Sequence, residues 1–295
     1  MIQLALIRHL KLHNANAISS PYSIGFPAMT AWLGAVHALQ RLLQQQEFFA
    51  SVQLSRTAVS CHNLEVQTHK GAGDYVHSII GTANPLTKQG ERSAFIEEAR
   101  CHLEVSLLIE FSGVNADHLD AFTLAIEHCV QRMKFASGDV LSCRGVEYLS
   151  VNEDEPSSVK KACNKLMLGH VLVEKRDFLQ SKMIEGQDAL DALLDYLKIT
   201  QQSNKDDHGN LSWKTSRLTK GWLVPIAVGF QGISALGVAQ QQRDANTPHR
   251  FAESVVTLGE FVMPYRITDL DDMLWHYHVD SEKDLYLCRT GMQMS

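Results

Sequence analysis

Histidine is the side chain best suited to moving protons or holding a metal near neutral pH, and this 295-residue chain carries fourteen of them. Three stand beside a cysteine, in Cys61–His62, Cys101–His102 and His128–Cys129. Adjacent side chains rarely ligate one ion together, and structural zinc wants four ligands at spacings such as C-x2–4-C with H-x3–5-H. Two such pairs do not occur together here, and the His276-x-His278 pair has no third ligand marked by spacing, so no metal is expected. A ribonuclease reaction, with a base and an acid on either side of a 2′-hydroxyl, is open to a chain so rich in histidine. Spacing singles out no particular pair for it. The chain has no G-x-x-x-x-G-K-[ST] phosphate loop, no G-x-G-x-x-G after a strand and no G-x-S-x-G elbow. No cofactor is therefore expected, and catalysis has no motif behind it.

The segment HNANAISSPYSIGFP, residues 13–27, is more informative. His13, Asn14, Asn16, Ser19 and Ser20 supply hydrogen-bond donors and acceptors, and they stand beside a helix start set by Pro27. With Pro27 at the first helical position, Phe26 becomes the capping residue, and it has no oxygen to satisfy the first-turn N–H groups. Those groups are open to water or to a phosphate. Charge is uneven in the same region: the first acidic residue is Glu47, and Arg8, His9, Lys11, His13, His37 and Arg41 all precede it. A second acid-free stretch, His208 to Arg243, carries Lys214, Arg217 and Lys220 and is followed by His249 and Arg250. The two stretches can combine into one basic groove, in which Arg250 and Arg266 either contact phosphates or pair with Glu253 and Glu260.

The elements that must position these residues follow from periodicity. Alternation at Ile2, Leu4 and Leu6 predicts a strand over residues 2–12, followed by a long, turn-rich connection. Met29, Trp32, Leu33, Val36, Leu39 and Leu43 recur at helical spacing, with Thr30, His37, Arg41 and Gln44 on the opposite stripe. Residues 54–69 read as a strand. Residues 102–111 alternate, with Leu103, Val105, Leu107, Ile109 and Phe111 toward a core and His102, Glu104, Ser106 and Glu110 toward water. A helix capped by Asn115 or Asp117 buries Leu119, Phe122, Ile126, Cys129, Val130 and Met133, and residues 139–149 form a fourth strand. Residues 150–165 lose periodicity and read as a loop. A short helix is expected at 187–199, on Leu190, Leu193, Leu194 and Leu197, followed by a flexible loop at 201–210. From Trp222 onward the runs GWLVPIAVGF and FAESVVTLGEFVMP are strand-like.

Strand, helix, strand, strand, helix, strand is the ferredoxin-like order shared by RNA-recognition-motif domains. The fold class expected is therefore α+β: an RRM-like core at residues 1–149, a loop and helical insertion at 150–215, and a β-rich C-terminal part at 216–295 packing on the core. The 45% hydrophobic and 20% charged content excludes disorder. Six scattered cysteines without a C-x-x-C pair, together with an N-terminus too polar for a signal peptide, point to a reducing cytoplasmic compartment. No apolar run approaches the roughly 20 residues of a membrane helix. A net charge of −6 argues against a free-standing, non-specific nucleic-acid binder, which carries a basic excess. A sheet that reads RNA in the usual way exposes aromatic rings on its central strands. Glu104 and Glu110 stand there instead, so loops and helix ends are expected to do the reading, with Trp222, Phe251 and Trp275 as the candidates for base stacking.

Six blocks carry a specific resemblance: NANAISSPYSIGFPAMTAWLGAVHALQR, EEARCHLEVSLLIEF, DALLDYLKI, GWLVPIAVGF, TPHRFAESVVTLGEFVMPYRI and DMLWHYH, in this order. Together, over residues 10–286, they resemble the family of the second Csy subunit of type I-F CRISPR surveillance complexes, which belongs to the RRM-like, repeat-associated RNA-binding superfamily. The resemblance implies a non-catalytic subunit that grips the 5′ handle of the CRISPR guide RNA at the foot of the complex. Its partners would be the large subunit and the backbone subunits, with target double-stranded DNA met through the complex and read by base pairing. On that basis Asn14, Asn16, Ser19 and Ser20, with His13, would hydrogen-bond a kinked single strand. Phe26, His37, Gln40 and Arg41 would shape or charge the groove, and Arg250 with Phe251 would close it. A histidine-dependent endoribonuclease of the same superfamily and a protein-only adaptor are the alternatives.

Overall fold

The first strand runs further than its apolar alternation suggests: in the computed structural model β1 spans Ile2–Asn16 and α1 spans Met29–Leu43. The structure describes residues 1–291 except 81–85, 93–97, 206, 207, 209, 243 and 245, so Arg243, at the end of the acid-free stretch, and part of the expected 201–210 loop lie outside the described residues. Next come β2 (Gln53–Val66), β3 (Arg100–Ser112), α2 (Leu119–Val130), β4 (Gly138–Ser142) and β5 (Val146–Val151). After them stand α3 (Pro156–Asn164), β6 (His170–Glu174), α4 (Arg176–Ile184) and α5 (Ala189–Leu197). The chain closes with β7 (Leu223–Gly232), β8 (Ala252–Val262), β9 (His276–Asp280) and β10 (Leu285–Arg289). The result is α+β, as expected.

Ten of these strands and the short Lys134–Phe135 strand form one sheet in the order β9-β10-β7-β8-β6-β2-β3-β1-β4, with β5 also on β1. Each pairing among the ten is antiparallel. The expected single strand at 139–149 is two, because β4 pairs with Lys11–His13 and β5 with Ile2–Ile7 of the same long β1. The C-terminal strands extend the sheet from the β2 edge through β6.

The helix α1 buries the stripe read from its sequence, Met29, Trp32, Leu33, Val36, Leu39 and Leu43, together with Ala35. With Phe122, Ile126 and Val130 of α2 it covers one sheet face, meeting Ala5, Ile7, Leu10, Leu12, Leu103, Val105 and Leu107. Full burial of each large side chain contributes about 1.5–3 kcal/mol. The cap of α1 is Ala28 and not Phe26, since the helix begins two residues past Pro27. For α2, neither Asn115 nor Asp117 caps by side chain: a 3-10 turn at Ala116–His118 intervenes.

The opposite sheet face is only half wet, which corrects the expectation for β3. Leu4, Leu6, Ala58 and Leu108 are buried beneath Val159, Ala162 and Cys163 of α3, Leu166 and the Ile267–Leu274 segment. The 150–165 stretch expected as a loop is thus largely a helix, started by Pro156 and held by three buried side chains. Too few apolar positions mark it to be read from the sequence. The expected flexible loop after α5 begins instead with a strand, Thr200–Lys205, paired with Leu211–Ser216 in an exposed hairpin. The helix α4, not expected, fully buries only Leu179.

Candidate nucleic-acid interface

Two surfaces gather the residues with recognition chemistry. The first is a groove of about 480 Å³ at the start of α1, lined by Asn16, Ser19, Pro27, Ala28, Thr30 and Ala31, by the small residues Gly34, Ala35 and Ala38, and by Lys134, Ala136 and Ser137. No side chain caps α1 and no acid stands in its first turn. The N-terminal end of the helix therefore presents partial positive charge and unsatisfied donors to this groove. No carboxylate lines it among the described residues, although Lys134 at its rim is paired with Asp139.

Most of the Asn/Ser run is occupied by its own fold. The Asn16 amide donates to the Ile18 carbonyl at 2.9 Å and accepts from the Ile18 N–H at 3.2 Å, closing an Asx turn. Ser23 bonds Ser19 at 3.1 Å and Ser20 at 2.8 Å inside a small hairpin, and Ser20 is buried. Phe26 belongs to the core, stacked on Trp32 at 5.5 Å and edge-on to Phe261 at 5.3 Å, and its ring is buried outside the groove lining. Gln40 accepts from the Leu54 N–H at 2.7 Å and donates to Gln53 at 3.2 Å, tying α1 to β2. His37 and Arg41 are exposed on α1 outside the groove lining.

The C-terminal candidates are not brought to this groove by any described bond. Arg250 forms an ion pair with Asp284, and Glu260, the expected partner of Arg266, is held by Lys175 at 3.5 Å. Phe251 is 75% exposed and donates its backbone N–H to Ser234 at 2.8 Å. No hydrogen bond, ion pair or ring contact among the described residues joins Arg250 or Phe251 to residues 13–41, or Lys214, Arg217 and Lys220 to residues 8–41. Of the aromatic candidates, Trp275 is fully buried, donating its indole N–H to the Leu172 carbonyl at 2.9 Å. Trp222 is half-exposed against His170 and Phe261.

His13 and Asn14 lie on the second surface, the half of the β3 face that α3 leaves open. His9 stacks on His62 with centroids 4.2 Å apart, and His13 on His102 at 4.5 Å. His9 Nδ1 meets Glu104 at 2.7 Å, while His62 Nε2 and the His9 backbone N–H both reach Ser106 Oγ, at 2.8 and 3.1 Å. The Asn14 backbone N–H donates to His102 Nδ1 at 3.2 Å and its side-chain oxygen accepts from Gln67 at 3.1 Å. Lys11 and Arg144 approach Glu104 at 3.8 and 4.0 Å. Burial pushes the Glu104 carboxyl up, but the His9 hydrogen bond and the nearby Lys11, His9 and Arg144 charges outweigh it and hold the group below its ordinary range. Burial, and then the neighbouring His9, bring His62 down to about 4.

Sequence reasoning named His13 and Asn14 but missed their partners. The available signal was the alternation Lys11, His13 in β1 against His102, Glu104, Ser106 in β3, once histidine is counted as a ring. The buried thiols offer no competing chemistry: burial pushes Cys61 and Cys288 up to about 12 and Cys101 and Cys163 to about 11, so none is a thiolate nucleophile at neutral pH. Among the described residues no group of three His, Cys, Asp or Glu side chains converges as metal ligands.

Two comparisons bear on this arrangement. Residues 5–288 match the family described as CRISPR-associated protein (Cas_Csy2). The CRISPR-associated protein Csy2 of Pseudomonas aeruginosa (strain UCBPP-PA14) is 33% identical over 310 residues, covering 96% of this chain and 94% of that protein.

Proposed function

The chain belongs to the Csy2 family of CRISPR-associated proteins, a subunit of the type I-F CRISPR system, and from that premise we propose that it is the RNA-binding subunit that holds the 5′ handle of the guide. The observation that carries this reading is the groove at α1: an uncapped helix start with no acid in its first turn, and Thr30 and Ser137 beside it, with no carboxylate among the described residues of its lining. An open helix start flanked by hydroxyls suits a phosphate-bearing strand. Small residues along α1, Ala31, Gly34 and Ala38, let a backbone approach closely.

We read β1, β2, β3 and the β4/β5 pair, with α1 and α2 on one face, as an RRM-like core; the strand order β2-β3-β1-β4 and the antiparallel pairings support that reading. The large subunit and the backbone subunits of the complex are the protein partners proposed, with the cytoplasm as the place of action. No helix among the described residues is long and apolar enough to cross a membrane. The subunit is proposed to be non-catalytic. His62, held near 4, is a weak base at neutral pH and is not poised as the base of a ribonuclease.

The test is to tag the chain in its host, purify it under mild salt and sequence the RNA that accompanies it. Short RNAs sharing one repeat-derived 5′ end, recovered with larger Csy-type subunits, are the expected result. Partners without RNA would instead establish a protein-only adaptor. RNA cleaved by the wild type and spared by His9→Ala or His62→Ala would establish the nuclease.

A further inference from the structure

We propose that the paired histidines on the open half of the sheet face form a stacking platform for splayed bases of single-stranded RNA, with His13 and His102 as its outer step and His9 and His62 as its inner one. The proposal rests on the reading of this chain as a guide-RNA subunit and adds a second recognition surface to the α1 groove, on the other face of the sheet.

Backbone geometry builds this row. Along β1 the residues under α1 and α2 are Ala5 and Ile7, then Leu10 and Leu12, then Ala15. The register shifts between Ile7 and Leu10 and between Leu12 and Ala15, so the inward set changes from odd to even and back again. The first bulge keeps Leu10 and Leu12 in the core and turns Lys11 and His13 onto the open face. The residues that take up the two shifts, His9 at φ 46° and Asn14 at φ 61°, are both left-handed, a region in which His and Asn are found more often than other residues with a side chain. Bulges of this kind re-aim side chains and recur beside functional sites.

The two stacked pairs have nearly parallel rings, 22° and 18° apart, and stand on either side of Glu104. Ser106, which anchors the inner pair, and His102, in the outer pair, are four residues apart on β3, or about 13 Å at the rise of a strand. That spacing suits bases spread apart and not a continuous stack. Histidine is among the side chains on which unpaired bases stack, and His13 is the exposed member of its pair. Gln67 and Asn14 flank that pair with amide groups for base edges. Lys11 and Arg144, with side chains 51% and 61% exposed, approach Glu104 from solvent and are available to a phosphate. Carboxylates also border the row: Glu65 lies opposite His102, and Asp139 opposite His13. With both signs present, stacking and hydrogen bonds dominate over charge, and the platform contributes little to the salt dependence of binding.

The test uses the complete complex, co-expressed with a guide carrying 4-thiouridine in its repeat-derived 5′ segment, then irradiated and mapped by mass spectrometry. Cross-links on peptides containing His13 or His102 are expected. In the same complex, His13→Ala with His102→Ala weakens binding of a labelled RNA bearing that 5′ end by about tenfold or more, with an unchanged salt slope. The ring-preserving pair His13→Tyr and His102→Tyr restores it. Cross-links confined to other parts of this chain, such as the α1 groove, would overturn the platform while leaving the guide-RNA reading in place. No cross-link to this chain in a complex that retains its guide would overturn both. Because the cross-link is read on the wild-type protein, a variant that fails to fold does not obscure the answer.

Discussion

His62 gives the sharpest link between the site and a measurable stability. Its ring is held neutral down to about pH 4 by burial and by His9, against an ordinary value of 6.5. Above pH 6.5 the ring is neutral in both folded and unfolded chains, and its full contribution to stability is present. As the pH falls from 6.5 to 4 the unfolded chain takes up a proton that the folded chain refuses, and stability is lost at up to about 1.4 kcal/mol per pH unit. The whole interval is worth at most about 3 kcal/mol, and less to the extent that solvent screens a half-buried ring. Replacing His62 with Gln removes the titration and keeps a donor near Ser106 Oγ. Urea unfolding of the full-length chain at steps between pH 7.5 and 4 should give curves for wild type and H62Q that converge toward the acid end, by up to about 3 kcal/mol. His276, which burial also pushes down, is present in both proteins, and its contribution cancels in the difference. Parallel curves would mean that His62 titrates alike in folded and unfolded chains, and the description of its ring as half-buried and opposed by the His9 charge would be wrong.

Three further outcomes are expected. Leu108→Ala, at a position that alternation along β3 assigns to water but α3 covers, should cost about 2–5 kcal/mol in urea unfolding; a cost within about 0.5 kcal/mol would mean the face is open. Trp275→Phe removes the hydrogen bond to the buried Leu172 carbonyl and should cost about 1–3 kcal/mol while leaving guide retention unchanged; a loss of retention at full stability would make Trp275 an RNA-binding residue. His37→Ala with Arg41→Ala, both exposed on α1, should weaken guide binding and lower the salt slope by about 1 for each phosphate that the variant no longer neutralises. An unchanged slope in a titration from low to moderate salt would exclude these side chains from the phosphates.

Local periodicity was enough to read α1, because a helix that packs on a sheet needs a single stripe, whose members recur at spacings that sum to whole helical turns within a short stretch of chain. Met29, Trp32, Leu33, Val36, Leu39 and Leu43 are all buried as that stripe requires. Alternation marks β3 and strand-like runs mark β7 and β8, and the family is legible because its motif blocks run along the chain. The Asn/Ser run was legible as polar but not as self-satisfied: whether Asn16 and Ser20 face a ligand or close their own turn depends on backbone dihedrals that composition does not encode. The second core was hidden because α3 is marked by only three buried side chains, and its cover on Leu108 is supplied from more than fifty residues away. The histidine row was hidden for a related reason. His9 meets His62 and His13 meets His102 across strands far apart in sequence, and only the two bulges of β1 decide which of its residues face them. Side-chain type is a property of the sequence, but side-chain direction on a strand has period two, so one inserted residue reverses it. That reversal is decided where the strands pair, in the tertiary structure.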